Sequence, residues 1–338
     1  MKGIVCESIE NFQYRNDFPV PELVEGEALV RVHRIGICGT DLHAFKGNQP
    51  FFTYPRVLGH ELAGVIEQIG ENEYGLQVGD QVSIIPYLHC GECIACRVGR
   101  TNCCTSMKVL GVHTDGGMRE VIAVPIPNVI QTNKLTLDQT AVLEPLAIGA
   151  HAVRRAGVKR GETVLVTGAG PIGLGVMIFA KYAGAQVIAM DINEERLAFC
   201  KTWAGADYTV NALEQPRENI ARFTNDEFPT TVFDATGNQR SMNDAFQWPA
   251  HGGTLVFVGL VKQDVSFHDP DFHKRELTLM ASRNATKEDF NHVLEVMHAG
   301  AIQVDQYITH RSHFDEMIDE FGNWLKPETK VIKAVVEL

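Results

Sequence analysis

Long apolar runs are missing from this chain. None of its 338 residues falls in a stretch of the 18 or so uninterrupted apolar residues that a membrane-spanning helix needs. The opening MKGIVCESIENFQY also lacks a basic start followed by an apolar segment, so no secretory leader is expected. Positive charge is scarce: 30 Lys and Arg stand against 42 Asp and Glu, a net charge of −12. An acidic surface of that size speaks against nucleic acid or an anionic membrane as the main partner. Repeats of fixed period and low-complexity tracts are absent, which sets aside solenoids and long linkers. An even disulfide framework is missing too. Of eight cysteines, Cys6, Cys38, Cys103 and Cys200 are scattered, so reduced thiols and a soluble, cytoplasmic protein are expected.

The other four cysteines, Cys90, Cys93, Cys96 and Cys104, are concentrated in the run HCGECIACRVGRTNCC with the spacing C-x2-C-x2-C-x7-C. A short loop that returns four soft thiolates to one point suits tetrahedral zinc, closed on all sides and therefore structural. An iron–sulfur run of the ferredoxin type would place its fourth cysteine after three residues and before a proline, whereas Thr105 follows here. Cys103 is read as a bystander.

At 45% hydrophobic and 21% charged residues, the chain is expected to bury two cores. Up to about residue 127, short β-rich runs punctuated by Gly and Pro predict a partly open barrel. Then strand and helix alternate: Thr163–Thr167, a helix from Pro171, Gln186–Met190, a helix from Glu194, Thr231–Ala235 and Thr254–Val258. That alternation predicts a doubly wound parallel sheet. A helix over Glu288–His298 follows, and a strand in Lys330–Val336 is expected to return to the first domain. The predicted domains are 1–145 with 285–338, and 146–284. An exposed edge around Gln263–His268 is expected to join copies of the chain as a homodimer or homotetramer.

Gly168-Ala-Gly-Pro-Ile-Gly173 follows an apolar strand, opens a helix and precedes Asp191 at the end of the next strand. In that context it is a dinucleotide fingerprint. Gly168 makes the tight turn, Gly170 lets the backbone approach the pyrophosphate, and Gly173 lets the helix pack on the sheet, with Pro171 and Ile172 between them. Asp191 would bind the adenosine ribose and repel a 2′-phosphate, favouring NAD over NADP; Arg196, five residues on, is the residue that would soften that preference. Thr236 and Val258 complete the expected cofactor set. A second constellation joins Cys38 of GICGTDLHAF, His60 and Glu61 of VLGHELAGVIEQIG, and Glu144 of LEPLAIGAHAV. A thiolate, an imidazole and carboxylates with one exchangeable position are what a catalytic zinc needs.

GICGTDLH, YPRVLGHELAGVIEQIG, VGDQV, the cysteine run, LEPLA, VLVTGAGPIG and VIAMDIN together resemble the zinc-containing medium-chain dehydrogenases, the alcohol and polyol dehydrogenase family, over essentially the whole length. The resemblance implies an α/β fold: a GroES-like catalytic β-barrel with a Rossmann domain inserted before its last segment. It implies two zinc ions per chain, one catalytic and one structural, and NAD. Cys38, His60 and Glu61 would hold the catalytic zinc, with Glu144 binding it directly or through its water. Thr40 and His43 would relay a proton by way of the cofactor ribose. Glutamate at 144, where ordinary alcohol dehydrogenases carry cysteine, places the chain with the sorbitol and threonine dehydrogenases. The runs GNQPFFTYPRVLGHE, GRTNCC, VLGVHTDGG, FDATGNQ, DPDFHKRE and SRNAT further resemble sugar-acid dehydrogenases. The implied substrate is a small polyol or sugar acid, L-galactonate-like and oxidised at C5. Arg283 would receive its carboxylate, with Lys46 as a second candidate. Another polyol or threonine dehydrogenase, or an NAD-binding sensor without chemistry, are the competing readings.

Overall fold

The computed structural model describes residues 1–49 and 52–338. The chain divides into two compact units, Met1–Glu144 with Thr286–Leu338, and Pro145–Ala285.

In the first unit a seven-stranded sheet is organised around one long strand, Glu27–Ile37. Val30, Val32 and Ile35 join the core of this unit, each at most 2% exposed. The strand pairs antiparallel with three partners, Glu61–Ile69, Val121–Pro125 and Lys333–Glu337. The last of these returns from the far end of the sequence, which makes this unit discontinuous. Two register shifts against Glu61–Ile69 bend the central strand. Gly36 stands directly opposite Glu61, and a Cβ at Gly36 would lie 2.1 Å from a Glu61 carboxylate oxygen. Only glycine leaves that carboxylate room.

In the second unit six parallel strands lie in the order Tyr208–Asn211, Gln186–Asp191, Thr163–Thr167, Thr231–Asp234, Thr254–Phe257, Thr278–Ala281. In chain order this is 3-2-1-4-5-6, the doubly wound arrangement. Val164, Leu165, Val166, Val187, Ile188, Val232, Phe233, Leu255 and Val256 are fully buried, as expected of strands covered on both faces. The helix Leu143–Ala156 and the helix Pro171–Tyr182 pass backbone to backbone where Gly149 meets Gly175; a Cβ on Gly149 would lie 2.5 Å from the Gly175 carbonyl carbon.

One expectation needs correction. Gln263–His268 forms no strand, and the edge of the sheet is Thr278–Ala281, a segment with a partly polar sequence and no alternation strong enough to single out. The short strand Tyr208–Asn211 was likewise not predicted. Among the described residues no helix is long and apolar enough to cross a membrane.

Asp138, in the short helix Leu137–Ala141, ties three elements of the first unit together. It accepts from Arg34 Nε of the central strand at 3.2 Å and from Arg311 of the strand Ile308–His313, which also donates to Glu337 at 3.0 Å. Burial pushes the Asp138 carboxyl up, but Arg311 and then Arg34 outweigh it and hold the pKa below its ordinary value. A lowered carboxyl contributes stability above its unfolded pKa and loses it as pH falls through the folded one. Asp138→Asn should therefore cost about 1–2 kcal/mol at neutral pH, discounted for the partly exposed arginines. The difference from the parent should shrink as pH is taken below the ordinary carboxylate value of about 3.9. Urea denaturation at both pH values measures this, and an equal cost at both would show that Asp138 does not act through its charge.

Candidate metal centres and dinucleotide site

The four-cysteine loop folds as the spacing requires. Gly91 and Gly99 adopt φ of +78° and +76°, and turn the chain on either side of a single helical turn, Ile94–Arg97. The sulfurs of Cys90, Cys93, Cys96 and Cys104 all lie within 4.8 Å of one another, with Cys93–Cys96 and Cys90–Cys104 separations of 3.5 Å. Bonds of 2.3 Å at tetrahedral angles separate sulfurs by about 3.8 Å, so the loop fits zinc with little movement. Backbone N–H groups are already aimed at the sulfurs: Cys90 and Ser106 donate to Cys104 at 3.3 Å, and Cys93 donates to Cys90 at 3.4 Å. Such donors favour the thiolate, and those of Thr105 and Cys96 pull the Cys93 pKa down to about 5. Cys103 lies outside the group, and no cysteine forms a disulfide.

The second centre is built from the two central strands. Cys38 follows directly on Glu27–Ile37 and caps the helix Gly39–Phe45; His60 and Glu61 stand at the start of the neighbouring strand. Sequence neighbours on antiparallel strands thus deliver a thiol, an imidazole and a carboxylate to one place, their donor atoms within 4.8 Å of one another. Cys38 is partly exposed while His60 and Glu61 are buried. The donor set fits zinc in a site that keeps an open side.

Asp41, which the sequence reading passed over, organises this centre. Its fully buried carboxylate accepts from the N–H of Cys38 at 2.9 Å and of Gly59 at 3.3 Å, and lies 3.7 Å from His60 Nδ1. That last distance is beyond hydrogen-bond range, and Nδ1 has no hydrogen-bond partner among the described residues, so Asp41 acts on the ring through its charge. Burial lowers the His60 pKa, but Asp41, then Cys38 and Glu144, outweigh it and push it well above its ordinary value. In GTDLH the aspartate reads as a helix-capping residue, which it also is; nothing in the sequence marks its second task.

Two further buried groups hold the carboxylates. Lys333 Nζ, on a side chain only 2% exposed, donates to both oxygens of Glu61 at 2.7 Å and to the carbonyl of Ile37 at 3.1 Å. A charge inside the apolar run Lys330–Val336 was the available signal. The hydroxyl of Tyr87, 4% exposed, donates to Glu144 in the first turn of the helix Leu143–Ala156. Burial raises the Glu144 pKa to about 7 and raises that of Tyr87 well above its usual value, so the phenol stays a donor. The carboxylate of Glu144 is not among the donors that meet within 4.8 Å.

Thr40 and His43 share one face of the helix Gly39–Phe45 at a spacing of three residues, the first partly buried and the second exposed. Lys46, at the end of that helix, is in an exposed ion pair with Glu10. Arg283 is exposed just beyond the edge strand of the second unit.

The expected cofactor residues of the second unit gather at the carboxyl ends of adjacent parallel strands. Gly168 turns the chain at φ +97° after the first strand, and a Cβ on Gly173 would lie 1.8 Å from its carbonyl oxygen. Gly170 heads the helix Pro171–Tyr182, and a Cβ there would meet nothing within 4 Å, which leaves room for a phosphate at the N–H groups of Ile172 and Gly173 in the first helical turn. Asp191 ends the second strand; it accepts from the N–H of Ala169 at 2.7 Å and of Asn193 at 2.9 Å, so it is held against the glycine turn. Arg196 lies in the first turn of the next helix, Glu194–Thr202. Thr236 donates twice to Asp234 at the end of the fourth strand, and the Val258 N–H donates to the Asp234 carbonyl at 2.9 Å. The arrangement is a dinucleotide cradle.

Residues 24–134 match the model of the alcohol dehydrogenase GroES-like domain, and residues 171–299 that of the zinc-binding dehydrogenases. The chain is 43% identical to the L-galactonate-5-dehydrogenase of Escherichia coli K12 over 99% of its own length and 98% of the relative's. It is 35% identical to the starvation-sensing protein RspB of the same organism, covering 99% of each. A crystal structure of the RspB alcohol dehydrogenase from E. coli CFT073, complexed with NADH, superposes with a TM-score of 0.92 at 30% identity, covering 100% of this chain and 99% of that one.

Breaking the Lys333 pair strands a fully buried carboxylate. Lys333→Met should destabilise the protein by about 3–5 kcal/mol. Lys333→Met with Glu61→Gln should recover part of that loss, because the stranded charge is gone. Chemical denaturation of parent, single and double variants checks this; a double variant less stable than the single would show that Lys333 and Glu61 stabilise independently.

Proposed function

The chain belongs to the zinc-binding, GroES-like alcohol dehydrogenases, and we propose that within this family it oxidises the C5 secondary hydroxyl of a sugar acid, L-galactonate or a close analogue, with NAD as acceptor. The observation that carries the chemistry is the meeting of Cys38, His60 and Glu61 within 4.8 Å, one partly open and two buried. The relative at 43% identity over nearly the whole length supports the choice of an aldonate. When bound, zinc supplies a Lewis acid for the substrate hydroxyl, and NAD accepts the hydride as the alcohol becomes a ketone.

The residues of the chain do the rest. Cys38, His60 and Glu61 would hold the metal, and Cys90, Cys93, Cys96 and Cys104 a second one, closed on all sides. Asp41 sets a negative charge 3.7 Å from the His60 ring. Glu144 lies beside the open position. Thr40 would take the hydroxyl proton and His43, exposed three residues on, would pass it to solvent. Gly168, Gly170 and Gly173 with Pro171 and Ile172 receive the pyrophosphate, Asp191 the adenosine ribose, and Thr236 and Val258 line the nicotinamide end. Arg283 takes the substrate carboxylate as a fork. Lys46, already paired with Glu10, is the lesser candidate. Eight free cysteines suit a reducing cytoplasm.

We further assign the chain a homo-oligomeric state, dimer or tetramer, through the edge strand Thr278–Ala281, where Leu279 is 42% exposed and backbone pairing is unused on one side. Light scattering at micromolar concentration should show at least a dimer; a monomer refutes the assignment.

Steady-state kinetics with L-galactonate, the corresponding uncharged polyols and threonine should give the highest kcat/KM for the aldonate and a preference for NAD over NADP. Arg283→Ala should raise KM for the aldonate by roughly 10-fold or more and barely change it for an uncharged polyol of equal length. Asp191→Ala should weaken NAD use and narrow its lead over NADP. Higher parent efficiency on sorbitol or threonine, or equal losses on both substrates, would overturn the substrate assignment.

A further inference from the structure

The hydroxyl of Tyr87 donates to the carboxylate of Glu144. Both side chains are 4% exposed, so neither can exchange its partner for bulk water without opening the core. Tyr87 is also unusually well anchored. It lies on a two-stranded ribbon, Tyr87–Leu88 against Lys108–Val109, in which it stands opposite Val109. Asn128 Nδ2 donates to the carbonyls of Ile85 at 2.8 Å and of Tyr87 at 3.2 Å, and Leu110 N donates to the Pro86 carbonyl at 3.0 Å. The same ribbon carries the cysteine lobe: only Leu88 and His89 separate Tyr87 from Cys90, and Cys104 precedes Lys108 by four positions.

We propose that Tyr87 is a positioning residue that holds Glu144 outside the inner shell of the catalytic metal, and that through the ribbon it couples the four-cysteine lobe to that site. A carboxylate with one oxygen fixed by a rigid phenol keeps the other for an exchangeable water or substrate hydroxyl. Freed, it becomes a fourth protein ligand and closes the position that turnover needs. The lobe then has a task beyond bracing a loop: four sulfurs on one metal fix the ends of the ribbon, and the ribbon fixes the phenol. The inference deepens the reading of a metal at Cys38, His60 and Glu61 and rests on it.

The test uses the full chain, with cobalt in place of zinc in the second site after mild chelation and zinc retained in the lobe. Tyr87→Phe should shift the visible cobalt bands and slow release of that metal to a chelator by roughly 10-fold. Glu144→Gln, with Tyr87 intact, should leave the bands where they are in the parent. Replacing the lobe zinc by the larger cadmium should shift the parent's bands and not those of Tyr87→Phe. Unchanged bands and release in Tyr87→Phe, a shift in Glu144→Gln, or no response to cadmium in the parent would each overturn the proposal. Glu144→Gln decides the matter even if Tyr87→Phe does not fold. A parent that binds a single metal, in the lobe alone, would overturn the catalytic-metal reading instead.

Discussion

A buried ion pair between two residues 272 positions apart, Glu61 and Lys333, governs the arrangement of the first unit. Glu61 heads one strand, Lys333 heads another, and the long strand Glu27–Ile37 runs between them and pairs with both. Gly36 leaves room for the carboxylate, and the Ile37 carbonyl takes the third ammonium bond. The next residue is Cys38. The pair therefore fixes the two ends of the ligand set against each other. Its value is positional: a buried pair gains little over well-packed apolar side chains, while loss of one partner is severe.

Around that pair acidic groups outnumber basic ones. Glu61, Glu144, Asp41 and the Cys38 thiol face Lys333 and a His60 whose pKa is pushed up by the first two of its acidic neighbours, Asp41 and Cys38. Each carboxylate has a dedicated donor: an ammonium for Glu61, a phenol for Glu144, backbone N–H groups for Asp41. A divalent cation entering here displaces protons and leaves the framework of donors in place. The second unit follows another logic. Its ligand site is made of strand ends and a helix start, with glycine supplying absence of side chain where phosphate must approach.

What could be read in the sequence was local. The cysteine spacing, the glycine turn after an apolar strand and the alternation of strands with helices each fit within some thirty residues, and each specifies its structure without help from elsewhere. Cys38 and His60, each weak taken singly, were singled out through the family resemblance of GICGTDLH and YPRVLGHELAGVIEQIG, and the return of a final strand was legible from its apolar run. Lys333, Tyr87 and Asp41 were not. Their roles depend on which side chain lies opposite in the fold, and a lysine in a strand, a tyrosine before a loop or an aspartate in a helix cap carries no mark of that partner. The edge of the parallel sheet was misplaced for a related reason. Thr278–Ala281 reads Thr-Leu-Met-Ala, as apolar as Thr254–Phe257 beside it, yet three of its four residues are exposed, so nothing in its composition marks it as the edge.

The split of the first unit across the chain also sets an order of assembly during synthesis. Glu61, Cys38 and His60 leave the ribosome early, yet Lys333 follows 272 residues after Glu61. At ordinary elongation rates that gap lasts on the order of 10–60 s. Throughout it one flank of the central strand lacks its partner and a carboxylate destined for the interior has no counter-ion. The parallel-sheet unit, wholly encoded between the two segments, can fold in the meantime. The nascent protein is thus a finished nucleotide-binding body tethered to an open half-barrel, and it is in this interval that the chain is most exposed to chaperones and to capture of the wrong metal by its early thiols.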